Sequence, residues 1–403
     1  MDKRFIFPKL SWITRSLVMI WWILCALSVT LFIRQAYEAM PWSPETLFGL
    51  SFNDLKKPTI VSFYLVGLFS ILLVLGSMFW VMITRLINAK WGKNISFIWE
   101  SVAWASMGGW LIGLAAMYCG SAVIYQWFEY YIIKSRPVSP IFSQDSAFWW
   151  NADAFYLRQA CFFVAIGIMV NVWRHRSVES WANNGAFRPI KQVWIALLTL
   201  FLVAVTSLGT IDWIGGLQAD DVPSLLPFYG ILFALVLSLS VGICGLIQPL
   251  KQNSFIVIPW RKIGGVLLTM VLIKSYLLYG QYIITWFSNL PETTEFYADR
   301  MIGQWGWVAL SSAIFEMVLP ILLLLIPSIR FSQLGNLTAA ILIIIGSILE
   351  LWWLIGPIVG LSASDLSSWV CLSIGIFLLI LVILPAYCYQ LNQASLFTNA
   401  RKK

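Results

Sequence analysis

Charge is scarce in this chain: only 11% of the residues are Asp, Glu, Lys or Arg, against 60% hydrophobic. A soluble globular domain has roughly a quarter of its residues charged, so that class is excluded. Disorder needs the opposite balance and is excluded as well. Histidine is nearly absent: His175 stands alone, between Arg174 and Arg176. A bis-histidine haem held by this chain is therefore ruled out, and His175 reads as a solvated loop residue. No CxxC occurs among the six cysteines Cys25, Cys119, Cys161, Cys244, Cys371 and Cys388. Iron–sulfur, structural zinc and c-type haem attachment lack their spacing. All six lie in apolar stretches and read as small buried hydrophobes.

What is abundant is apolar runs of bilayer-crossing length, and tryptophan, 23 residues of it. Tryptophan suits anchoring at both membrane–water interfaces. The net charge of +8 does not form a nucleic-acid stripe, because the basic residues fall in short loops between apolar runs. Hydropathy predicts an all-α polytopic membrane protein, a single integral membrane domain over residues 1–403 with ten spans. They lie at about 12–36, 59–84, 97–130, 156–173, 189–213, 224–248, 263–288, 302–329, 336–356 and 367–391. No small-residue cleavage site follows the first, which reads as a retained helix.

Charge sets the orientation. The N-terminal tail carries Lys3, Arg4, Lys9 and Arg15, and Arg401, Lys402 and Lys403 end the chain. Alternate loops carry Arg85, Lys90 and Lys93; Arg174, Arg176, Arg188 and Lys191; Lys251, Arg261 and Lys262; and Arg330. The other loops hold Glu38, Glu45, Asp54, Asp145, Asp153, Asp220, Asp221, Glu292, Glu295, Asp299 and Asp365. Basic loops stay cytoplasmic, so both termini are expected on the cytoplasmic side of the membrane. Residues 134–156, with Pro137, Pro140 and Phe148-Trp149-Trp150, are expected to lie along the outer interface.

Lys274, Glu316 and Glu350 sit within apolar runs. A charge at mid-bilayer costs at least ~2.5–3.5 kcal/mol, so such residues mark an ion or proton route or a ligand site. Lys274 and Glu316 lie at matched depth in consecutive, antiparallel spans joined by a short outer loop and are expected to pair. Ordered by depth, Glu100, Lys274 with Glu316, Glu350 and Asp212 form a stepped set of proton-route candidates. A static ion pair plus interface carboxylates is the alternative. Ser275, Tyr279, Gln281, Tyr282 and Thr285 add a polar stripe to span seven, which either lines a hydrated path or bonds between helices. Pro320 is expected to break the hydrogen-bond ladder one turn past Glu316. Ala105, Gly109 and Gly113 form a small-residue stripe for close helix packing.

The stretch from Tyr279 to Arg330 reads YGQYIITWFSNLPETTEFYADRMIGQWGWVALSSAIFEMVLPILLLLIPSIR. Its Gln281, Trp286, Asn289, Leu290, Pro291, Glu292, Tyr297, Arg300, Gly303, Trp305, Leu319 and Pro320 match a motif of the ActF-type membrane subunit of alternative complex III, which the chain resembles. Residues 154–158 and Ile211-Asp212-Trp213 resemble two further family segments. Alternative complex III is a bacterial quinol:cytochrome c oxidoreductase, and the subunit belongs with the NrfD/polysulfide-reductase membrane proteins. The resemblance implies four-helix bundles and no cofactor bound by this chain, quinone acting at the level of the complex. It implies other membrane subunits, periplasmic haem c and iron–sulfur subunits and the lipid bilayer as partners, no nucleic acid, and a subunit that is not catalytic alone. This sequence departs from the family pattern at Glu316, where members carry His, at Glu350, where they carry Asp, and over residues 214–218. A secondary transporter with a central Lys/Glu site, or a quinone-reactive anchor of a molybdenum or iron–sulfur enzyme, are the alternative readings.

Overall fold

The computed structural model describes residues 52–125, 127–128, 149–182, 191–218, 223–246, 258–288, 291–301, 303–364, 368–377 and 380. The first expected span, most of the tenth and most of segment 134–156 lie outside them. Among the described residues every regular element is helical. In chain order these are α1 (Phe52–Leu86), α2 (Lys90–Ile124), α3 (Ala152–Ala182), α4 (Gln192–Trp213), α5 (Leu226–Gly245), α6 (Trp260–Ser288), α7 (Pro291–Met301), α8 (Trp305–Leu325), α9 (Pro327–Arg330), α10 (Gln333–Ile355) and α11 (Ser368–Phe377). Eight of them, α1 to α6, α8 and α10, are long and apolar enough to cross a membrane. The protein is thus a membrane-embedded helical bundle. Only helices or closed barrels satisfy their backbone groups in hydrocarbon, which is why apolar composition and helicity go together here.

Contacts between helix ends divide the bundle into two faces. The ends rich in Lys and Arg meet through Arg85, Glu100 and Arg174, from α1, α2 and α3. They meet again where Gly264 of α6 abuts Arg330 and Asn336. We call this the basic face. At the opposite, acidic face the Tyr64 hydroxyl of α1 meets that of Tyr125 at 3.1 Å and donates to the Trp213 carbonyl at 2.5 Å. There, too, Arg300 of α7 donates to the Leu354 carbonyl at 3.3 Å.

Helix α1 is the hub, its apolar window 94% buried, packed on α2, α4 and α5. Without a hydrophobic drive between helices in lipid, close backbone approach carries association. Gly67 of α1 lies backbone to backbone against Gly113 of α2, and Gly109 sits on Ser70, so the small-residue stripe is a packing surface. Helices α3, α4, α6 and α8 bury only about a third of their apolar windows and leave large side chains such as Val164, Leu200 and Leu322 exposed. Cys161 belongs to the exposed face of α3, which corrects the expectation that every cysteine is buried; Cys371 is buried. His175 is exposed.

Candidate functional site: a buried amine between two carboxylates

Lys274 lies fourteen residues beyond the start of α6, about 21 Å along the helix. Its side chain is 1% exposed, and Nζ donates to Glu316 Oε1 of α8 and to Glu350 Oε2 of α10, each at 2.5 Å. The expected partnership of Lys274 and Glu316 is what the side chains form. Glu350 does not stand as a separate step nearer the acidic face, because it shares the same amine. Its position in the helix misleads: α10 reaches only five residues past it, whereas α6 runs fourteen past Lys274, so helix ends do not mark a common depth.

Two hydroxyls complete the site. Ser347 Oγ donates to Glu316 Oε1 at 2.8 Å, and Tyr229 of α5 donates to Glu350 Oε1 at 2.5 Å. The ammonium also lies 3.9 Å from the Phe233 ring centroid and 5.4 Å from that of Tyr229, both favourable for a cation. Glu316 Oε2 is buried and, among the described residues, accepts no hydrogen bond from a donor; the Glu350 carboxyl lies within hydrogen-bonding reach of Glu316. With both carboxyls ionised the cluster carries one positive and two negative charges, a net charge of −1 in a low-dielectric interior. An uncompensated buried charge is costly, and one added proton removes it.

The backbone around Glu316 is specialised. Helix α8 is α-helical over Trp305–Ala313 and Leu319–Leu325, with a π turn over Ile314–Val318 between them. The Leu319 N–H donates to the Ile314 carbonyl, five residues back. Proline at 320 has no N–H to offer the Glu316 carbonyl, so the ordinary ladder cannot continue. The expected break thus appears as a π turn that includes Glu316 itself; such turns recur at functional sites.

The remaining proton-route candidates sit in separate clusters. Glu100 pairs with Arg85 at 3.1 Å and Arg174 at 3.7 Å on the basic face. Asp212, fully buried near the acidic face, accepts from Arg158 Nε at 2.9 Å and Nη2 at 3.0 Å, from Gln159 at 3.0 Å and from Trp149 at 2.9 Å. Gln159 in turn accepts from Trp213 at 2.6 Å. Both Asp212 oxygens are thereby engaged, which suits a structural lock rather than a stop on a route. Trp149 and Trp150, the described end of the interfacial segment, are tied into the protein: Trp149 through Asp212, Trp150 against Trp127.

The motif residues divide as well. Gln281 accepts from the Leu225 N–H at 3.2 Å and donates to Thr285 at 3.3 Å. Tyr279 and Trp286 are exposed, while Ser275 donates to its own helix at Val271, so the polar stripe of α6 is not continuous. Asn289 and Leu290 fall outside the described residues, as does the Glu292 side chain. Pro291 opens α7, where a short loop is expected from sequence; proline suits a first helical turn. Tyr297 packs edge-on against Tyr282 at 5.3 Å. Arg300, fully buried, donates to Gln218 at 3.1 Å and to the Phe296 carbonyl at 2.6 Å. Trp305 donates to the Leu361 carbonyl at 3.2 Å. These residues hold the acidic end of the bundle together. Among the described residues no three His, Cys, Asp or Glu side chains are grouped to hold a metal ion. Tyr229 and Ser347, which complete the central cluster, are absent from the sequence expectations because lone hydroxyls in apolar helices are common.

No family model matches the chain, and no curated protein matches it. The likeness to the ActF-type subunit therefore rests on the motif residues quoted above.

Proposed function

We propose that this chain is a non-catalytic membrane subunit of a bacterial quinol-oxidising complex, and that its central cluster binds and releases one proton. The observation that carries the proton site is Lys274 shared by Glu316 and Glu350 inside the bundle, two buried carboxylates on one amine. Taking up one proton brings the cluster from −1 to neutral, and losing it restores a negative charge held by the ammonium. Buried ionisable residues in membrane spans mark such relays by default. Glutamate at 316, where the resembled family has histidine, keeps a titratable group in place.

The respiratory context and the bacterial plasma membrane come from the NLPE-to-Pro320 resemblance, and the cytoplasmic termini from the charge pattern of the loops. In this reading the chain holds partner subunits that carry haem c and iron–sulfur clusters, and quinone acts at the level of the complex.

Two measurements test it. Mild-detergent purification of the tagged chain brings down c-haem and iron–sulfur subunits; recovery of a lone chain that moves a solute in vesicles would support a secondary transporter instead. Within the assembled complex, Glu316→Gln lowers proton uptake per quinol oxidised while assembly persists. Unchanged coupling in an assembled Glu316→Gln complex removes this cluster from the proton pathway.

A further inference from the structure

Between the cluster and the two faces the surroundings are unequal. Towards the basic face, the buried side chains of α6 are Val271, Leu268, Leu267 and Ile263, and those of α10 are Ile343, Ala340 and Ala339. On these two helices apolar side chains continue there until Asn336, and the buried Ser238 and Ser240 of α5 donate to carbonyls of their own helix. Towards the acidic face lies a cavity of about 30 Å³, set between the start of α5, the second half of α6, helix α7 and the end of α10. A cavity needs about 10–15 Å³ to hold a water molecule, so this one has room for at least one. Its walls are mostly apolar, with Leu226, Leu278 and Trp353 among them, but Tyr229, Gln281 and Tyr297 also line it. Tyr229 is thus common to the cavity and the charged cluster: it lines the cavity and its hydroxyl donates to Glu350.

We infer that Tyr229 is the proton relay between the acidic face and Glu350, so that the cluster exchanges its proton with that face through this cavity. The inference rests on the proton-binding reading of the cluster. In the step, a proton on a cavity water passes to Tyr229 Oη as the Tyr229 hydroxyl proton passes to Glu350 Oε1. The water loses one O–H bond, Tyr229 Oη gains one and loses one, and Glu350 Oε1 gains one; rotation of the new hydroxyl resets the relay. Nothing is oxidised or reduced. The groups that face this path are Tyr229 from α5, Lys274 and Gln281 from α6, Tyr297 from α7, Glu316 from α8, and Ser347 and Glu350 from α10. The short helix α7, which carries Phe296 and Tyr297, forms one wall of the cavity.

The test is hydrogen–deuterium exchange at the cluster carboxyl. The full chain in lipid nanodiscs is mixed with D2O, and the carboxyl C=O stretch is followed by infrared spectroscopy. The cluster's band is identified as the one lost in both Glu316→Gln and Glu350→Gln. Tyr229→Phe keeps the ring and removes the relaying oxygen; its exchange is expected to slow on the order of a hundredfold. Leu278→Phe fills the cavity without touching the carboxylates, and is expected to slow exchange at least about tenfold. This second variant carries the test if Tyr229→Phe fails to fold. A loss confined to the hydrogen bond shifts the band position in Tyr229→Phe but leaves the rate unchanged. Wild-type rates in both folded variants overturn the relay while the proton site stands. Absence of any such band from the wild-type chain overturns the proton site, and the relay with it.

Discussion

Gly346 of α10 lies against the backbone of Glu316: a methyl group added there would come within 2.5 Å of Glu316 N and Cβ and 2.8 Å of its Cα. The π turn of α8 and the helix that carries Glu350 touch at this point, which brings two carboxylates to one amine. Two of these atoms are backbone and the third is the Cβ fixed to it, so none can swing aside as a side-chain tip would. Gly346→Ala should therefore push α8 from α10 and cost about 1–3 kcal/mol, as overpacking does. Thermal unfolding in detergent should show a lower midpoint, and the infrared carboxyl signal should shift. A native midpoint with an unshifted signal would mean that the helices separate freely and that the contact sets nothing.

Lys274→Met tests the amine itself. Methionine retains much of the side-chain length but leaves two carboxylates facing each other in a dry interior. Removing one partner of a buried ionic set costs about 3–5 kcal/mol. The triple variant Lys274→Met, Glu316→Gln, Glu350→Gln removes all three charges and should recover most of that loss. The comparison is made by chemical unfolding in mixed micelles. Were the single and triple variants equally unstable, packing volume and not charge would govern this site.

How far the sequence foretold this arrangement depends on which signal each residue carries. The helical character was legible because hydrocarbon length and apolar runs leave little choice: eight helices long and apolar enough to cross a membrane overlap expected spans, though α1, α2 and α3 begin or end several residues beyond the expected bounds and α2 stops at Ile124, short of residue 130. The Lys274–Glu316 partnership was legible because opposite charges at matched depth in adjacent helices favour meeting. Glu350 was read as a further step because distance from a helix end stands in for depth only when helices are of equal length and tilt. Tyr229 had no signal, since one hydroxyl near the start of an apolar helix resembles interfacial tyrosines generally. Pro320 announced a ladder defect but not its form: the missing N–H removes one bond, and packing against Gly346 decides that the chain takes a wider turn. Helix α7 was foreseeable from Pro291 followed by Glu292, a helix-start pattern that an expected tight loop concealed.

The α1–α2 pair offers a separate test of how the bundle is held. Gly67 and Gly113 meet backbone to backbone, so neither tolerates a branched side chain. Gly113→Leu should separate the helices and cost at least about 3 kcal/mol, beyond ordinary overpacking, because no side-chain rearrangement relieves the clash. Gly280→Leu, on the exposed side of α6 where an added methyl meets nothing, is the control and should be nearly neutral. Midpoints of thermal unfolding for the two variants decide this, and equal losses would contradict the packing account.

Asp212 separates a structural carboxylate from a proton-carrying one. It accepts four hydrogen bonds, two of them from Arg158, whose side chain is 18% exposed while that of Asp212 is fully buried. Asp212→Asn keeps the shape but replaces one acceptor oxygen by an NH2 group pointed at a guanidinium or an indole N–H. The loss of charge-assisted bonds should cost about 2–3 kcal/mol. Arg158→Leu with Asp212→Leu removes both charges and should be less unstable than Asp212→Asn alone, since no buried charge is left uncompensated. Neither change touches the central cluster, so carboxyl exchange at Glu350 should keep its wild-type rate in the folded Asp212→Asn chain. A slowed rate there would link the two sites and return Asp212 to the stepped route that its saturated hydrogen bonds argue against.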